Sequence, residues 1–73
     1  MENLVNEKSS KLIYLSMCEA YDIIIGNKDT EDIRYEIALY SKEGLEQVLY
    51  YFEEIEEYEK CAFIKRIIDQ IYG

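Results

Sequence analysis

Between Tyr50 and Glu59 the chain reads Tyr-Tyr-Phe-Glu-Glu-Ile-Glu-Glu-Tyr-Glu, with five glutamates among the seven residues from Glu53 to Glu59 and aromatic rings at both ends. Carboxylates at this density could do three kinds of chemistry. A pair with separated pKa values can trade a proton, a cluster of oxygens can hold a hard cation, and an acidic ridge beside tyrosines can dock on another macromolecule. Proton transfer needs a cleft that shifts one carboxyl, and histidine, the usual partner near neutral pH, does not occur in the chain. Glu53 and Glu57 lie one helical turn apart, an ordinary crowding on a solvated face. The acidic run lacks the Asp/Asn alternation and central glycine of a calcium loop. With two cysteines and no histidine, a Cys/His zinc site within one chain has too few ligands. The Gly26–Thr30 loop lacks the glycine spacing of a phosphate cradle. The expectation is therefore no catalytic residue, no metal and no cofactor, but a partner-binding patch of Tyr50, Tyr51, Glu53, Glu54, Glu56, Glu57 and Tyr58.

The elements that must carry this patch follow from periodicity. Ser41 is a helix cap, and Leu45, Val48, Leu49, Phe52 and Ile55 recur behind it at helical spacing. Cys61, Ile64, Ile68 and Ile71 continue the stripe, and no glycine or proline lies between Leu45 and Tyr72. One helix of about 30 residues, roughly 45 Å long, would leave that stripe exposed. Two helices folded back near Glu53–Glu57 bury it, so residues 41–72 are expected to form a helical hairpin. Phe52 belongs to its buried stripe. Tyr50 and Tyr51, about 100° apart on a helix, cannot both join it.

Earlier in the chain, residues 1–8 are polar and expected to fray. Ser9 or Ser10 caps a helix running to about Ile25, with Ile13, Met17, Ala20/Tyr21 and Ile24 inward and Gly26-Asn27 as a left-handed stop. Apolar residues on more than one face suit a central helix. Residues 28–40 admit two readings. Asp29 or Thr30 can cap a helix whose inner stripe is Ile33, Ile37 and Tyr40; alternatively Ile33, Tyr35, Ile37 and Leu39 alternate as in a strand and pair with 21–25. The expected fold is a single domain over 1–73, mainly α, a small bundle with a C-terminal helical hairpin. The alternative is α+β with a β-hairpin at about 21–40.

Residues Glu56-Glu57-Tyr58-Glu59-Lys60-Cys61-Ala62-Phe63-Ile64-Lys65-Arg66-Ile67-Ile68 resemble the UVR motif, a short helical hairpin of bacterial excision-repair proteins and some Clp-protease regulators. Tyr58-Glu59 stand at the motif's opening, Cys61-Ala62 at its small pair, and Ile64-Lys65 at its Leu-Arg. Cys61 replaces the usual alanine, and Arg66 falls where an aspartate is common. The resemblance spans about 30 residues and implies a protein-interaction element that often pairs with a similar hairpin, without catalysis. On helical geometry alone, small side chains at Cys61 and Ala62 let the two helices approach closely, and Lys65 and Arg66 can pair with acids across the hairpin.

Composition bounds the function. With 73 residues the chain buries only about 60% of its unfolded surface. Its eight tyrosines and two phenylalanines exceed the needs of one small core, which points to a protein partner or a homodimer. A formal charge of −8 speaks against direct binding to nucleic acid or an anionic membrane. Met1-Glu2-Asn3-Leu4 has no basic region before an apolar run, no apolar stretch approaches a membrane span, and Cys18 and Cys61 read as buried thiols in a reducing compartment; the cytoplasm is the expected location. Two functions fit. One is a small non-enzymatic interaction module or regulator that binds a partner or its own copy through the hairpin. The other is a phage-type inhibitor that imitates nucleic acid with its glutamates, in the manner of anti-restriction or anti-CRISPR proteins.

Overall fold

The computed structural model describes residues 2–73, with side chains described from residue 10 onward; the expected fraying of 1–8 falls on residues whose side chains lie outside that set. Four helices follow one another: α1 (Glu2–Ile24), α2 (Ile33–Tyr40), α3 (Lys42–Glu54) and α4 (Tyr58–Tyr72). Among the described residues there is no strand, so the molecule is a mainly α bundle and the β-hairpin alternative for 21–40 is overturned. The reason is burial. Ile23 and Ile24 are almost fully enclosed, and a helix places both against the core where an alternating strand would turn one outward.

α1 passes straight through Ser9 and Ser10, so neither is its cap. Its other end follows expectation. Gly26 adopts φ +86, Asn27 N–H donates to the Asp22 carbonyl at 2.8 Å and Gly26 N–H donates to the Ile23 carbonyl at 3.1 Å. These two bonds satisfy carbonyls that a helix end otherwise leaves open. α2 is capped by Asp32 rather than Asp29 or Thr30: its Oδ1 accepts from Arg34 N at 3.1 Å and Tyr35 N at 3.2 Å. The Thr30 hydroxyl accepts from Asp32 N and holds the cap itself.

A single residue, Ser41, ends α2 and starts α3. Its amide donates back to Ile37 and Ala38, its hydroxyl donates to the Ala38 carbonyl at 2.7 Å, and its Oγ accepts from Gly44 N at 3.0 Å. The corner is tight enough that a Cβ on Gly44 would sit 1.9 Å from the Ala38 carbonyl oxygen. Only glycine fits there.

The core sits between α1, α3 and α4. Phe52, Leu45 and Ile64 are fully buried, with Ala20, Tyr21, Ile23, Ile24, Leu39, Val48, Leu49 and Cys61 around them. α3 supplies two of the three fully buried side chains, packs against each of the other helices and is the central element. α1 is not, because its Leu12, Ile13 and Leu15 are exposed, Ile13 against expectation. The direction of α2 is also corrected. Leu39 is its buried residue with Tyr35 packed beside it, whereas Ile33 and Ile37, expected inside, are 67% and 65% exposed. An eight-residue helix can bury one face only, and the corner at Gly44 turns the Leu39 side inward.

Candidate functional site

The hairpin α3–α4 has a closed end, the turn at Ile55–Glu57, and an open end, where Ser41 meets Tyr72. The closed end carries the acidic run. It breaks the helix without glycine or proline: Glu56 takes φ +63, while Glu57 N–H donates to the Phe52 carbonyl at 2.9 Å and Glu56 N–H donates to the Glu53 carbonyl at 3.1 Å. This is the same hydrogen-bond pattern that ends α1, built on a residue type for which the left-handed conformation is strained.

The seven expected partner-binding residues divide into two groups. Tyr51 stands half-buried with its ring edge-on to Phe52 at 5.2 Å, and Phe52 meets Tyr21 edge-on at 5.8 Å. Tyr51 therefore closes the core. Glu53 faces Lys65 across the hairpin at 3.6 Å, and Glu57 accepts from Lys60 at 2.9 Å. Lys60 in turn lies 5.4 Å from the Tyr21 ring centroid and 5.8 Å from that of Phe52, covering aromatic faces with a cation. Tyr50 (59% exposed), Tyr58 (64% exposed), Glu54 and Glu56 remain for a partner. Glu56, Glu57, Tyr58, Glu59 and Lys60 line a shallow hollow of about 240 Å³ beside the turn.

The electrostatics tie α1 to this turn. The Lys60 ammonium hydrogen-bonded to Glu57 holds that carboxyl below its ordinary pKa, with the Tyr14 hydroxyl adding to the effect. Lys60 is raised by the same bond. Tyr14 is pushed well above an ordinary phenol by its neighbours, first Cys18 and next Glu57. Burial raises the Cys61 thiol, which keeps it protonated and unreactive. None of these shifts moves a group toward neutral pH. Among the described residues no three Asp, Glu, Cys or His side chains converge as a metal-holding group.

The small pair at the helix crossing is in fact one residue. Cys61 is buried with Sγ 4.0 Å from the Leu49 carbonyl oxygen, whereas Ala62 faces outward. Arg66 does not cross the hairpin but lies over the Phe63 ring at 5.5 Å.

Sequence reasoning missed the open end. There Ile33, Glu36, Ile37, Tyr40, Ser41 and Tyr72 line an open groove of about 580 Å³. The Tyr72 hydroxyl donates to the Tyr40 carbonyl at 2.6 Å, and the Tyr40 hydroxyl reaches the Ile23 and Ile24 carbonyls at 3.0 and 2.8 Å. The i, i+4, i+7 spacing of Ile33, Ile37 and Tyr40 was the available signal; it marks an apolar face but not which way that face points. Among the described residues no helix is long and apolar enough to cross a membrane. No family model matches the chain, and neither the curated proteins nor the solved structures yield a match.

Proposed function

We propose that this chain is a small, non-enzymatic interaction module that binds a partner protein through the exposed aromatic and apolar side chains of its α3–α4 hairpin. The observation that carries the reading is the sorting of side chains at the closed end. Tyr50, Tyr58 and Ile55 are left exposed beside Glu54 and Glu56, which have no ion-pair partner among the described residues, while Glu53, Glu57 and Tyr51 are engaged within the fold. Exposed aromatics rimmed by charge are the composition of an interaction surface. The resemblance of residues 56–68 to the UVR motif supports the same reading. The two free thiols, Cys18 and Cys61, accord with a reducing, cytoplasmic setting.

The nucleic-acid-mimic reading draws less support. Lys65 opposes Glu53 and Lys60 opposes Glu57, which breaks the row of carboxylates that would imitate phosphates.

The test is capture by the tagged chain from a bacterial lysate, washed at about 0.1 M and then about 0.5 M salt, where screening shortens from roughly 10 Å to a few ångströms. The expected result is one protein that survives the high-salt wash, is lost with Tyr58→Ala or Tyr50→Ala, and is kept with the Glu54→Gln/Glu56→Gln pair. A capture released by salt and abolished by the glutamine pair would instead assign the activity to charge and revive mimicry.

A further inference from the structure

The open end carries a second apolar surface, independent of the closed-end reading. Ile33 and Ile37 lie one turn apart on the outer face of α2, about 6 Å along the axis, and both are two-thirds exposed. Tyr72, held by its bond to the Tyr40 carbonyl, and the Tyr40 ring form the opposite wall. The charged group set into this lining is the carboxylate of Glu36, which has no ion-pair partner among the described residues. α4 ends at Tyr72 with no basic residue in its last turn, so the negative end of its dipole also borders the groove.

We infer that this groove docks a cationic amphipathic helix, whose apolar residues at i and i+4 seat against Ile33, Ile37 and Tyr72 while a lysine or arginine meets Glu36. Two features fix the occupant. The walls are helices with their own backbone bonds made, so no sheet edge is offered, and the partner must satisfy its backbone by itself as a helix does. The charge must be positive, since the one charged residue of the lining is Glu36 and the whole chain carries −8. The same charge disfavours a second copy, because a two-fold contact through this groove would bring Glu36 against Glu36.

The probe is a fluorescent helical peptide of about 18 residues with leucines at i, i+4 and i+7 and lysines on the flanks, titrated against the full chain beside a twin with glutamates on the flanks. The lysine peptide is expected to bind and the glutamate twin not to bind. Ile37→Asp is expected to weaken the lysine peptide by about tenfold or more, although the added charge favours a cationic ligand. Leu12→Asp, the same change on an exposed α1 position away from the groove, is expected to leave Kd within about twofold. Glu36→Lys, checked for unchanged helicity, should weaken the lysine peptide and admit the twin. Equal Kd for the Ile37→Asp and Leu12→Asp chains, or no binding of the lysine peptide to the native chain, would overturn the inference. So would a native dimer that Ile37→Asp converts to monomer, which would assign the groove to a second copy.

Discussion

The two ends of the α3–α4 hairpin solve the same problem with opposite materials. At the closed end the chain reverses through three residues, none of them glycine, and two of the acids there, Glu57 and Glu53, are held by Lys60 and Lys65. At the open end the neighbouring corner turns on Ser41 against a glycine with no spare space, and tyrosine hydroxyls rather than charges join the elements. One end is fastened by salt-sensitive pairs on a strained backbone. The other is fastened by backbone proximity and neutral hydrogen bonds, and leaves isoleucines in water. Charge density in the sequence thus marks where the fold uses carboxylates, while the larger unpartnered apolar surface lies elsewhere.

The two ends differ most in what Gly44 tolerates. Gly44→Ala drives a Cβ into the Ala38 carbonyl, and because backbone rather than a flexible side chain stands in the way, the α2–α3 corner must open. A loss of about 1–3 kcal/mol or more is expected in urea unfolding, with hydrogen exchange accelerated in α2 and unchanged around Ile55–Glu57. Uniform acceleration over both ends would show that they are one cooperative unit. The closed end should respond in the other direction. Glu56→Gly removes the left-handed penalty at φ +63 and is expected to raise stability by about 1 kcal/mol, less the added freedom of the unfolded chain. An unchanged or lower denaturation midpoint would mean that the Glu56 side chain contributes more than its backbone costs.

The smallest effect is that of acid. Glu57 has its folded pKa depressed below the ordinary 4.5, so its contribution is complete above that value and is lost as pH falls through the folded pKa. Acidification below about pH 4.5 should therefore loosen the closed end first, seen as release of Tyr14 and Tyr51 in near-ultraviolet circular dichroism, and Glu57→Gln should remove that early phase. Lys60, with its pKa raised, gives the mirror case: its share is present below the ordinary 10.5 and is lost as pH rises above it.

Much of the fold was legible. Ser41 as a cap, the Leu45–Phe52 stripe, Cys61 and Ile64 inside, and the stop at Gly26 all follow from residue type and 3.6-residue spacing. What escaped depends on neighbours distant in sequence. Ile33-Ile37-Tyr40 and Tyr35-Leu39 are both acceptable helix faces, and only the angle imposed at Gly44 selects the second. The start of α1 was hidden because Ser9 and Ser10 are good caps that the helix passes through. The candidate site was half legible. Tyr50, Tyr58, Glu54 and Glu56 face solvent, and the Lys65–Glu53 contact follows the expected pairing across the hairpin, but nothing in the local order says that Tyr51 would shield Phe52 or that Lys60, three residues from Glu57, would also cover the Tyr21 and Phe52 rings.

The Tyr72–Tyr40 bond decides who bears the cost of ordering in any association at the open end. It fixes the last turn of α4 against the end of α2, and the Tyr40 hydroxyl fixes that junction against the end of α1. The groove walls thus have little rotational freedom left to lose, and the entropy lost on docking falls on the incoming segment. Complexes at this surface would then differ mainly in how preformed the partner's helix is, so that affinity tracks the partner's own helicity more closely than the area it covers.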